Sequence, residues 1–87
     1  MKVASLVVRA RPERVATLRA EIDSLPGAEV HAVQPEGRLI VTVDDSDGAS
    51  PAENIVKVHN LGGVIGVSLV YEYCDDDHHD EIGRAHV

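Results

Sequence analysis

The densest concentration of chemically capable side chains lies near the end of the chain, where Cys74-Asp75-Asp76-Asp77-His78-His79-Asp80-Glu81 is followed by His86. Thiolate, imidazole and carboxylate together suit zinc or nickel. Ligands strung along an acidic, glycine-containing terminus have no scaffold to fix their geometry, and such compositions stay solvated rather than dock. No metal site is therefore assigned to them. Ser5 and Ser68 are candidate nucleophiles, but the order of elements brings no histidine and carboxylate together beside either, as a relay would require. His31 and His59 stand alone and read as surface or helix-flank residues rather than bases. Gly62-Gly63 closes a helix instead of opening one after a strand, so it is no phosphate loop. The residues imply no cofactor and give no grounds for an enzyme.

A binding surface is the remaining chemistry, and the strands must present it. Val64-Ile65-Gly66-Val67-Ser68-Leu69-Val70-Tyr71-Glu72-Tyr73 is the longest strand-forming run. Its odd positions Ile65, Val67, Leu69, Tyr71 and Tyr73 are all apolar or aromatic and are expected to face a core, whereas Val64, Gly66, Ser68, Val70 and Glu72 form a mixed second face. Near the other end, Ala4-Ser5-Leu6-Val7-Val8 echoes Val67-Ser68-Leu69-Val70-Tyr71. Ala4, Leu6, Val8 and Ala10 make its apolar face, and Val3, Ser5, Val7 and Arg9 the half-apolar one.

Between these strands, Pro12 opens a helix with Glu13 in its first turn, where the helix dipole favours a carboxylate. Val15, Leu18, Ile22 and Leu25 recur at helical spacing, and Pro26-Gly27 stops the helix. Ala28 to Gln34 and Arg38 to Val43 are short strand-forming runs joined by Pro35-Glu36-Gly37, a hairpin signal. Ser50-Pro51-Ala52-Glu53 is a capping box that starts a second helix running through Ile55, Val56 and Val58 to Leu61. The order is strand, helix, strand, strand, helix, strand. Right-handed crossovers then give an α+β, ferredoxin-like βαββαβ fold, with a four-stranded antiparallel sheet and two helices on one face.

Eighty-seven residues make one domain, whose small core must come from Val, Ile, Leu and Ala because aromatics are only 2% of the chain. Residues 1–73 are expected to form the domain and 74–87 an acidic tail. A single cysteine excludes an internal disulfide and suits a reducing compartment. With no membrane span or signal peptide in the sequence, the expectation is a cytoplasmic protein without membrane insertion. A formal net charge of -7 disfavours nucleic acid and favours a basic partner.

The sheet face away from the helices has nothing from this chain to cover it. It is expected to gather Ser5, Val7, Arg9, His31, Val33, Ile40, Thr42, Ser68, Val70 and Glu72, and so to form a docking surface. A contact between two copies of the chain is the plainer use of such a face. Copper-carrying domains of this fold place a cysteine pair in the first loop, which here reads Ala10-Arg11-Pro12-Glu13. RNA-recognition domains need aromatics on the open face, where the assigned positions hold none.

Ser5-Leu6-Val7-Val8, Leu25-Pro26-Gly27 with Glu29-Val30-His31, Pro35-Glu36-Gly37-Arg38-Leu39-Ile40-Val41, and Gly63-Val64 with Ser68-Leu69-Val70-Tyr71 together resemble the NapD family. The likeness runs from Ser5 to Tyr71. Where the family commonly has a histidine after that tyrosine, this chain has Glu72, so no role for that histidine carries over. The resemblance implies a cytoplasmic assembly chaperone for NapA, the molybdenum-containing subunit of periplasmic nitrate reductase, which binds the twin-arginine signal peptide of the NapA precursor and delays its export until the cofactor is loaded. On that footing Val7, Val33, Ile40 and Val70 are expected to bury the peptide's apolar stretch, and Glu29, Glu36 and Glu72 to meet its arginines, since guanidinium prefers carboxylates in bidentate pairs. The alternative is a small-molecule-sensing module of the ACT or Lrp-effector type, which shares the element order but normally accompanies a fused enzyme or DNA-binding domain.

One expectation concerns the tail directly. Truncation after Tyr73 should leave the melting temperature and peptide binding nearly unchanged, because residues 74–87 have no apolar periodicity with which to pack. A large loss of stability in a thermal melt would mark them as a structural element.

Overall fold

The computed structural model describes residues 2–74. The elements follow in the order β1 (Lys2–Ala10), a 3-10 turn (Pro12–Arg14), α1 (Val15–Asp23), β2 (Ala28–Gln34), β3 (Arg38–Asp44), a second 3-10 turn (Ser46–Gly48), α2 (Pro51–His59) and β4 (Val64–Cys74). The strands form one antiparallel sheet in the order β2-β3-β1-β4, with β1 and β3 central. This is the expected ferredoxin-like arrangement. The cysteine-, histidine- and carboxylate-rich segment from Asp75 onward lies outside the described residues, and among the described ones no three His, Cys, Asp or Glu residues cluster to hold a metal.

Alternation on the two central strands sorts the side chains cleanly. Ala4, Leu6, Val8 and Ala10 of β1 and Leu39, Val41 and Val43 of β3 are buried beneath the helices, where they meet Val15, Leu18 and Ile22 of α1 and Val58 of α2. The three α1 residues are spaced three and four apart, which is what puts them on one stripe. Ser50 caps α2 by accepting a hydrogen bond from the Glu53 amide at 3.2 Å, satisfying one of the otherwise orphaned first-turn donors. Asn54 is buried in the same helix and donates through Nδ2 to the Pro26 carbonyl at 2.7 Å. Gly27, in that same turn, has φ +82° and so little room that a Cβ would lie 2.6 Å from the Asp44 carbonyl oxygen and 2.7 Å from Ala49.

The edge strands break the simple alternation. On β2 the register slips between Val30 and Ala32, so that Val30 opposes Val41, Ala32 opposes Ile40 and Val33 opposes Leu39. His31 is the extra residue of a β-bulge, and Val33 is turned to the helix side, where it packs on the core. On β4 two slips occur: Val64 opposes Ala10 and Gly66 opposes Arg9, leaving Ile65 extra, and Leu69 opposes Leu6 while Tyr71 opposes Ser5, leaving Val70 extra. The strict odd-position core face expected for this strand is therefore corrected. Val67 packs on the core, but Ile65 is 65% exposed and Leu69 54%. Beyond the second slip Glu72 opposes Ala4, on the helix side.

These placements separate two substitutions of the same type. Leu6→Asp puts an unpaired carboxylate into a fully buried site, at several kcal/mol, and should abolish cooperative unfolding in urea. Leu69→Asp, opposite it on the half-exposed edge, should lower the midpoint only slightly. Equal losses would show that Leu69 belongs to the core.

Candidate docking surface

The register assembles the open face into rows. In an antiparallel sheet, directly opposed residues point to the same side, and each row lies about 7 Å from the next along the strands. The first row is Gln34, Arg38, Arg9 and Gly66; the second is Ala32, Ile40, Val7 and Ser68; the third sets Glu29 opposite Thr42 and Thr42 opposite Ser5; Asp44 and Val3 begin the fourth. Neither α1 nor α2 covers any of them. The second row is the apolar one, with Val7 and Ile40 side by side on the two central strands and small neighbours flanking them.

Of the residues assigned to this face from the sequence, Ser5, Val7, Arg9, Ile40, Thr42 and Ser68 lie on it. His31 reaches it from the bulge, its Nε2 lying 2.7 Å from the Thr42 hydroxyl. Val33 and Glu72 do not, because the register slips on β2 and β4 turn them to the helix side. Val70, 58% exposed, is the unpaired bulge residue rather than a neighbour of Val7, whose partner is Ser68. The three carboxylates offered as partners for the peptide's arginines are dispersed. Glu29 is on the open face, Glu36 is in the hairpin turn beside Arg9 and Arg38, and Glu72 faces the helix side.

Two features escaped the alternation argument. The Arg9 and Arg38 side chains oppose each other directly, which the sequence signals only through matching phases on strands far apart in the chain. The second is an apolar flank on the helix side of β4, where Leu6, Ile55, Val56, His59, Val67 and Leu69 line an open groove of about 350 Å³. Val56 is 59% exposed there.

Electrostatically the far end of the sheet is acidic. Asp44 accepts hydrogen bonds from the Ser46 hydroxyl and, at 3.0 Å, from the Ser46 amide, and these hold its carboxyl below the ordinary aspartate value. Asp45 accepts from the Lys2 amide at 3.2 Å, and Glu29 stands nearby on β2. Among the described residues the one ion pair is Arg11 with Glu13 at 3.9 Å, at the opposite end. The open face is thus a short apolar strip with carboxylates at one end and guanidinium groups at the other.

A family model described as NapD protein matches residues 1–76. The chain belongs to the NapD family. It is 41% identical over 71 residues to the chaperone NapD of Escherichia coli K12, covering 80% of this chain and 82% of that protein. To the chaperone NapD of Paracoccus pantotrophus it is 42% identical over 76 residues, 83% of this chain and 63% of that one. The solution structure of the E. coli Tat proofreading chaperone protein NapD matches with a TM-score of 0.72 and 37% identity, over 98% of this chain and 90% of that one. NapD relatives are named as chaperones, so the chain stands with a non-enzymatic family, apart from the ligand-sensing modules that share its element order. Among the described residues no helix is long and apolar enough to cross a membrane.

The lowered Asp44 value has a measurable consequence. Its contribution to stability is present above the unfolded-state value and is lost as the pH falls through the lower folded-state value. In urea unfolding, the stability gap between the parent and Asp44→Asn should be widest above about pH 5 and close towards pH 2. A gap independent of pH would show that the Ser46 contacts do not favour the ionised form.

Proposed function

We propose that this chain is a cytoplasmic chaperone that docks the twin-arginine signal peptide of a NapA precursor on the open face of its sheet and delays export until the cofactor has been loaded. The observation that carries this reading is the apolar row through Ile40 and Val7, on the face away from α1 and α2 and followed by carboxylates at Glu29 and Asp44. A signal peptide with arginines ahead of an apolar stretch has complementary chemistry. The net charge of -7 favours its approach. Membership of the NapD family, and the naming of the E. coli relative as a Tat proofreading chaperone, support the same partner.

Magnitudes indicate that both kinds of contact are needed. Covering about 300 Å² of apolar surface contributes roughly 7 kcal/mol at about 25 cal/mol per Å², and association and ordering cost at least about 4 kcal/mol. The apolar row alone would hold a peptide only weakly. Arginine-carboxylate pairs make up the difference, so affinity should depend on salt.

Face docking also fits the condition of the edges. On β2 the Val30 amide is already donated to Asp23 of α1 at 2.9 Å, and the next residue is the bulged His31. On β4 bulges at Ile65 and Val70 interrupt the ladder. Bulged and occupied edges are poor templates for an added strand.

Val7→Asp and Ile40→Asp test the reading. Both positions are only partly buried, so melting temperatures should change little. Calorimetry with a synthetic NapA signal peptide should show affinity at least about tenfold weaker in either variant, because a carboxylate buried under the apolar stretch is left unpaired. Parent affinity should fall as salt rises. Undiminished affinity in both variants would remove the open face as the site.

A further inference from the structure

The pairing of Arg9 with Arg38 is out of keeping with the rest of the molecule. In a chain with eight Lys and Arg against fifteen Asp and Glu, two guanidinium groups oppose each other across the two central strands. Like charges placed directly opposite in a sheet are destabilising. Their row-mates Gln34 and Gly66 carry no charge, and Glu36, in the hairpin turn beside the pair, can offset only one of the two. Among the described residues no carboxylate comes within 4.0 Å of either arginine. Gly66 leaves the face bare beside Arg9, since a Cβ there would meet nothing within 4 Å.

Distance makes this pair independent of the acidic end. Arg38 lies four residues along β3 from Thr42, which faces Glu29, and six from Asp44, or about 13 and 20 Å at strand spacing. Both exceed the screening length of about 8 Å at physiological ionic strength. A cation over Glu29 and Asp44 therefore feels little repulsion from the arginines, whereas a cation over Arg9 and Arg38 meets two guanidinium groups with the single carboxylate of Glu36 beside them.

We propose that the Arg9-Arg38 pair fixes the direction in which a peptide lies on the open face, by excluding the cationic end of the peptide from that end of the sheet. The inference rests on the docking reading above and adds an orientation to it. The peptide's arginines lie over Glu29 and Asp44, its apolar stretch crosses Ile40 and Val7, and the end that follows points toward Arg38 and Arg9. The apolar row through Ile40 and Val7 does not itself distinguish the two directions. Attraction at Glu29 and Asp44 favours one direction and a repulsive element at the other end adds to the difference; at contact distances of about 5 Å two such repulsions disfavour the reversed mode by about tenfold.

The test uses the full isotope-labelled chain and a synthetic peptide of two arginines followed by an apolar stretch, with a nitroxide at one end or the other. The expected result is that the label at the arginine end broadens the amide signals of Glu29, Thr42 and Ser5, and the label at the other end those of Arg9 and Arg38. In the double variant Arg9→Glu/Arg38→Glu each label should broaden both regions, with affinity at least as high as in the parent. A parent that already shows both patterns, or the reverse one, overturns the orientation while leaving docking intact. Signals on the open face that do not respond to either peptide overturn the docking reading and the orientation with it. The single variant Arg9→Glu, which replaces repulsion by attraction to Arg38, should melt about 2–5 °C higher without peptide. A lower melting temperature would mean that the pair is not held at a cost to stability, and would overturn the inference.

Discussion

The structure depends on a core that, among the described side chains, is built from small aliphatic groups alone. The buried apolar side chains, running from Ala4 to Val58, are all alanine, valine, leucine or isoleucine, and nearly all come from one face of β1, one face of β3 and one stripe of α1. Small aliphatic side chains fill a narrow interlayer space at crystalline density but supply limited area. The helices must therefore sit on the strand faces with the most branched carbon. That choice commits every other residue of the central strands to the opposite side, where the described residues provide no second layer.

What is left on that side follows from the same commitment. Because Leu39, Val41 and Val43 are buried, Arg38, Ile40, Thr42 and Asp44 are arrayed outward in fixed order. Because β1 runs antiparallel to β3, the matching outward residues Arg9, Val7, Ser5 and Val3 fall beside them. The graded sequence of guanidinium, aliphatic, hydroxyl and carboxylate groups is thus a property of two strands in register, not of any loop. Such a surface is stiff, since moving one of its groups would shift a core side chain on the other face of the same strand.

The central strands were legible in the sequence and the edge strands only in part. β1 and β3 are pinned by a neighbour on each side, so strict alternation holds and Ser5, Val7, Ile40 and Thr42 fell on the expected face. β2 and β4 have one paired neighbour each, and an extra residue can be accommodated by bending the free side. That freedom moved Val33 and Glu72 to the helix side and left Ile65 and Leu69 more exposed than their pattern suggested. The signal for β2 was available: Ala28, Val30 and Val33 can share one face only if a residue between Val30 and Val33 bulges. Nothing comparable marked β4, whose two faces both carry aliphatic side chains. The opposition of Arg9 and Arg38 needed the register itself, which links residues 29 positions apart.

Asn54 bears on how the domain comes apart. It belongs to the second strand-helix-strand half, yet its amide is spent on the Pro26 carbonyl in the turn that ends α1, in the first half. Prying the halves apart would leave a buried donor and a carbonyl without partners, at about 1–3 kcal/mol for the group left unsatisfied. It would also strip Gly27 from its contact with Ala49 and the Asp44 backbone. Loosening either half therefore disturbs the other, which opposes subdomain opening between fraying of the edges and loss of the whole fold.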